Sequence, residues 1–143
     1  MDLQVIQNWL VTFPLWKPDV PLYVEFTDAQ SVCGGLFPLG VEEVGKTTDV
    51  LGNTTVTCRA QFELRMVMPG PDGAGENARW LLSLQQWVQA QSQAGNAPRF
   101  GDVREAEWIR AEKARLTQLR KPGKGMYAMR FTAQYKKIYE VIE

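Results

Sequence analysis

Gly40-Val41-Glu42-Glu43-Val44-Gly45-Lys46-Thr47 is the stretch whose spacing spells out a chemistry, because it fits the phosphate-loop pattern G-x-x-x-x-G-K-[ST]. In such a loop, main-chain N–H groups wrap round phosphates, the lysine meets the terminal ones and the threonine holds magnesium. A helix must begin near the lysine so that its N-terminal dipole faces the anion. Here the continuation is TDVLGNTTV, where Gly52, Asn53 and the β-branched residues oppose a helix. Glu42 and Glu43 would place two negative charges in the phosphate cradle, and no later apolar run ends in an aspartate suited to magnesium. The match is read as inert.

Other catalytic sets are thinner still. The chain has no histidine, which removes Ser-His-Asp and Cys-His nucleophile pairs and His-ligated metals together. Cys33 and Cys58 stand far apart without a C-x-x-C pattern and read as free buried thiols. Asp72, Glu76 and Asp102 fall in turn or cap positions, where such residues ordinarily belong. The Asp49 stretch carries no metal-loop pattern. Asn53-Thr54-Thr55 is a glycosylation sequon, which matters only in a secreted chain. The expectation is a protein without catalytic residues, metal or cofactor.

What remains is charge. Lys plus Arg and Asp plus Glu both number 16, yet residues 1–103 carry a net −5 and residues 104–143 a net +5. Such a layout favours stacking of acidic on basic faces over bulk nucleic-acid binding, which calls for net positive charge. The candidate contact residues are Arg110, Lys113, Arg115, Arg120, Lys121 and Lys124. They would meet phosphate or an acidic partner, or else simply solvate a hairpin.

The elements that must position these residues follow from periodicity. At 143 residues, with 45% hydrophobic and 22% charged side chains, the chain is expected to form a single domain over 1–143. No apolar run approaches the ~20 residues of a membrane span, and MDLQVIQNW lacks the basic start and apolar core of a signal peptide. A soluble, non-secreted protein with no membrane contact is expected. Leu3, Ile6, Trp9, Leu10 and Phe13 mark a helix over 2–13, capped by Asp2 and stopped by Pro14.

Alternation predicts a strand over 22–28 with Leu22, Val24 and Phe26 on one face. It predicts weaker strands over 31–37, with a bulge near Gly34-Gly35, and over 41–50. In the central strand every even residue from Val56 to Met68 is apolar and faces the core. PGPDGAG (69–75) is a loop, and 76–93 a second helix placing Trp80, Leu84 and Trp87 in the core rather than on a ligand platform. Residues 107–119 have helical propensity, but the extended stretch after the KPGKG turn needs a partner. They are therefore read as a strand in a C-terminal hairpin. The fold class expected is α+β, two main helices on a mainly antiparallel sheet.

Taken in order, LQVIQNWLVTFP, TTVTCRAQFELRMVM, GENARWLLSLQQWVQAQSQAGNAPRFGD and IRAEKARLTQLRKPGKGMYAMRFTAQYKKIYEV resemble the tail-terminator (tail-completion, minor capsid) proteins of long-tailed bacteriophages and prophages. The resemblance implies a structural virion protein made in the bacterial cytoplasm. It implies a ring of identical subunits, often six, that closes the head-proximal end of the tail tube and stops its polymerisation. Implied partners are further copies of itself, the tail-tube protein and a head-completion protein, with a passing contact with DNA. A second reading is a nucleic-acid module using the basic C-terminal third, with Tyr127, Tyr135 and Tyr139 as stacking groups. A third, an enzyme working through residues 40–47, is disfavoured by the missing histidine and the loop's surroundings.

Overall fold

The computed structural model describes residues 2–25, 27, 31–69, 75–120 and 123–141. Its centre is the most regular stretch of the sequence. All seven even residues from Val56 to Met68 are buried, which makes strand β3 (Thr54–Pro69) the middle of a five-stranded sheet. Around it lie β1 (Leu22–Val24), β2 (Cys33–Thr48), β4 (Trp108–Arg120) and β5 (Lys124–Tyr139), in spatial order β1-β2-β3-β5-β4. All neighbours are antiparallel except β1 with β2.

Helices α1 (Leu3–Leu10) and α2 (Glu76–Gln93) pack on one face of this sheet, giving an α+β fold. Phe62 and Phe131 stack at its centre, 5.0 Å between ring centroids, with Ile6, Leu10, Leu84 and Val88 above them. Trp9 meets Trp87 at 4.7 Å, and Phe13 and Trp16 meet Trp80 at 5.7 and 5.5 Å. The two α2 tryptophans are thus half-buried, joining the two helical segments. The Trp80 indole N–H is taken by the Leu15 carbonyl (3.0 Å).

Several boundaries differ from the sequence reading, each for a local reason. Helix α1 ends at Leu10, three residues early, and the chain continues in tight turns up to Pro14 that still bury Phe13 and Trp16. Asp2 caps it, its carboxylate accepting from the Gln4 N–H at 2.9 Å. Strand β1 keeps only Leu22–Val24 of the expected 22–28. Glu25 has φ 58° and turns the chain, and Val24 is exposed; Phe26 lies outside the described residues. The two weak strands are one, β2, with register shifts at Pro38/Gly40 and Glu43/Gly45 instead of at Gly34-Gly35. Gly34 serves close packing: a Cβ there would stand 2.8 Å from the Met66 sulfur.

The segment expected as strand over 107–119 is β4 (Trp108–Arg120), one residue later at each end. Ile109 and Ala111 are buried on the helix side, Gln85 of α2 donates to the Ala111 carbonyl at 2.8 Å, and the Ile109 N–H donates to Ser92 Oγ at 3.0 Å. Asp102 is a structural clamp. Its N–H donates to the Lys136 carbonyl and its carboxylate accepts from the Ile138 N–H, both at 2.8 Å. Cys33 and Cys58 are buried and form no disulfide; beside Cys58, burial pushes the Tyr135 phenol above its ordinary range. Among the described residues no helix is long and apolar enough to cross a membrane.

Candidate assembly surface

The basic residues singled out in the sequence sort by strand register. Arg110 and Arg115 stand opposite Thr132 and Ala128 of β5, on the sheet face turned away from the helices, because Phe131 and Met129 face the helices. Arg110 is exposed with its guanidinium 5.3 Å from the centre of the Trp108 ring. Arg115 pairs with the buried Glu63 at 3.5 Å and donates to the Lys113 carbonyl at 2.9 Å. Lys113 is exposed at a register shift of β4 with φ 59°, a backbone conformation rare outside glycine. Arg120 closes β4 opposite Lys124, which is half-buried; Lys121 lies outside the described residues.

The fold adds three arginines that sequence spacing did not join to this set. Arg59 and Arg65 on β3 and Arg130 on β5 occupy the same polar face. Arg59 donates to Gln134 Oε1 at 3.0 Å and lies 5.8 Å from the Trp108 ring centre. Arg65 pairs with Glu63 at 2.8 Å and covers the Phe37 ring at 4.1 Å. The signal was present in the alternation Arg59, Gln61, Glu63, Arg65, which marks a polar strand face. Which strand lies beside it was not encoded there.

Among the described residues, both long edges of the sheet are open over most of their length. Beyond Leu36, β2 has no strand on its outer side among the described residues, since β1 reaches only Gly34–Leu36. On that edge Leu39, Val41, Glu42, Glu43 and Val44 are exposed. At the other side β4 pairs, among the described residues, with β5 alone and presents Arg110 and Lys113. The β2 edge sets Glu42 and Glu43 against the exposed Lys46 and is net acidic and apolar, whereas Arg110 and Lys113 make the β4 edge basic. Bulges and charges on both are the usual means by which an edge strand refuses indiscriminate pairing.

Residues 40–47, the phosphate-loop match, run as extended strand within β2, paired to β3 from Gly40↔Gln61 to Thr47↔Thr55, and no helix starts at Lys46. Backbone N–H groups in a paired strand alternate in direction, so they do not converge on a phosphate. Tyr127 and Tyr135 are buried on the helix side of β5, while Tyr139 is exposed. The first two are therefore unavailable for stacking on bases. Among the described residues no three His, Cys, Asp or Glu side chains gather to hold a metal.

No protein-family model matches the chain, and no curated protein matches it. A solved structure 15% identical aligns over 100% of this chain and 99% of its own, with a TM-score of 0.45. Similarity at that level carries no functional argument.

Proposed function

We propose that this chain is a structural assembly protein of a long-tailed phage. In this reading its copies form a ring that caps the tail tube, stops its growth and offers a face to the head-completion protein. The observation that carries the reading is a single sheet ending in two open edges of opposite character, β2 with Glu42 and Glu43 and β4 with Arg110 and Lys113. A surface that differs from its own complement calls for head-to-tail contacts, and such contacts form rings when the rotation closes. The sequence resemblance to tail terminators supplies the biological setting, in the virion at the head-proximal end of the tail.

The test is complementation of a phage that lacks its own copy. Arg115 is left intact, because reversing it would set a second carboxylate beside the buried Glu63. The double variant Arg110→Glu/Lys113→Glu is expected to fold normally and to assemble more weakly. Two exposed pairs at ~0.2–1 kcal/mol each give roughly a two- to thirty-fold loss. Normal tails from this variant would defeat the edge contact. Normal-length, head-joined tails in the complete absence of the protein would defeat the terminator reading.

A further inference from the structure

The hairpin joining β2 to β3 ends in two aliphatic side chains in open water. Val50 is 102% and Leu51 76% exposed. The turn that presents them is held firmly. Asp49 accepts from the Leu51 and Asn53 N–H groups at 2.9 and 3.0 Å, and the Asp49 N–H donates to the Asn53 carbonyl at 2.9 Å. Asn53 Oδ1 in turn accepts from the Val141 N–H at 2.9 Å, tying the turn to the end of the chain that follows β5. A rigid turn bearing bare aliphatics has already met the ordering cost of a binding loop.

A matching cavity lies at the far end of the same strand. Trp16, Val20, Val32, Met66, Met68 and Trp80 line about 160 Å³ of space together with Pro69, Asn77 and the exposed Lys17 and Glu76. Both indole N–H groups are turned to backbone carbonyls, Trp16 to Val20 (3.1 Å) and Trp80 to Leu15 (3.0 Å), which leaves ring surface facing the cavity. An apolar cavity of about 150 Å³ accommodates benzene, so the four carbons of a leucine side chain fit. Lys17 is exposed and makes no ion pair among the described residues, and Asp49 stands beside the two aliphatics.

The tip adjoins Thr54 and the cavity adjoins Met66 and Met68. At about 3.3 Å per residue they lie roughly 40–50 Å apart, so a tip cannot reach its own cavity. We propose that Leu51 of one copy seats in the Trp16–Trp80 cavity of the next, with Val50 against its mouth. The contact rests on the ring reading only in taking a second copy as the occupant. An apolar projection and a complementary cavity elsewhere on one molecule make a head-to-tail contact.

Two single-cysteine variants of the full chain test it, Val50→Cys and Lys17→Cys, mixed and oxidised; the native cysteines are buried and stay out of the reaction. The expected product is a disulfide between residues 50 and 17 of different copies. In parallel, Leu51→Asp should keep the parental melting temperature and lose self-association in sedimentation, and Leu51→Ala should weaken it about ten- to a hundred-fold. Dimers linked only through residue 50 to itself, or Leu51→Asp associating like the parent, would overturn the proposal. So would a parent protein that stays monomeric up to about 1 mM, or a Leu51→Asp variant that loses only its grip on tail-tube protein. If the 50–17 link forms but phage need no copy of this protein, the terminator reading falls and the contact stands. If Arg110→Glu/Lys113→Glu fails in phage while Leu51→Asp succeeds, the reverse holds.

Discussion

Phe62 and its neighbour Gln61 show how sharply one residue step divides the molecule. Phe62 is fully buried against Phe131, whereas Gln61 is exposed on the polar face opposite Thr132. Phe62→Ala should lower stability by about 3–5 kcal/mol, the cost of emptying a closely packed aromatic site. Gln61→Ala should stay within about 0.5 kcal/mol. Urea denaturation of the two variants checks both, and equal losses would contradict this register. The division was legible in the sequence because seven apolar residues at period two admit only one buried face. The polar face was legible strand by strand but not as a surface. Arg59, Trp108 and Arg110 come together through the β3-β5-β4 order, and that order depends on contacts between residues far apart in the chain.

At the scale of elements, context overrode local preference twice. Residues 107–119 have the composition of a helix, yet pairing with β5 and burial of Ile109 and Ala111 against α2 hold them extended. Periodicity predicts separate strands over 31–37 and 41–50, yet β2 runs through both, absorbing its irregularities at Pro38/Gly40 and Glu43/Gly45 as bulges. The same continuity decides the phosphate-loop match. With Lys46 in a paired strand opposite Val56 and exposed glutamates at 42 and 43, no anion cradle forms there. A calorimetric titration with magnesium and ATP is expected to give no saturable heat, and Lys46→Ala should give the same trace. Micromolar binding lost in Lys46→Ala would reinstate the loop.

The whole molecule brings two kinds of contact to assembly, and salt separates them. The charged edges are exposed, so their attraction works over about 8–10 Å and fades as the Debye length falls toward about 3 Å at 1 M salt. The hairpin tip is apolar and meets the rings of Trp16 and Trp80 and the side chains of Met66 and Met68, and salt does not screen that burial. Charges between surfaces act mainly on the rate and orientation of encounter, while apolar contacts govern how long a complex lasts. Raising sodium chloride from about 0.05 to 0.5 M should therefore slow association of the parent protein much more than it speeds dissociation. Arg110→Glu/Lys113→Glu should begin slow and lose most of this salt dependence. Leu51→Asp should associate at nearly the parental rate in low salt but fall apart quickly. Stopped-flow light scattering for association and dilution for dissociation read the two halves independently. A parent whose dissociation accelerates with salt as strongly as its association slows would mean that charge pairs, and not the hairpin tip, hold the copies together.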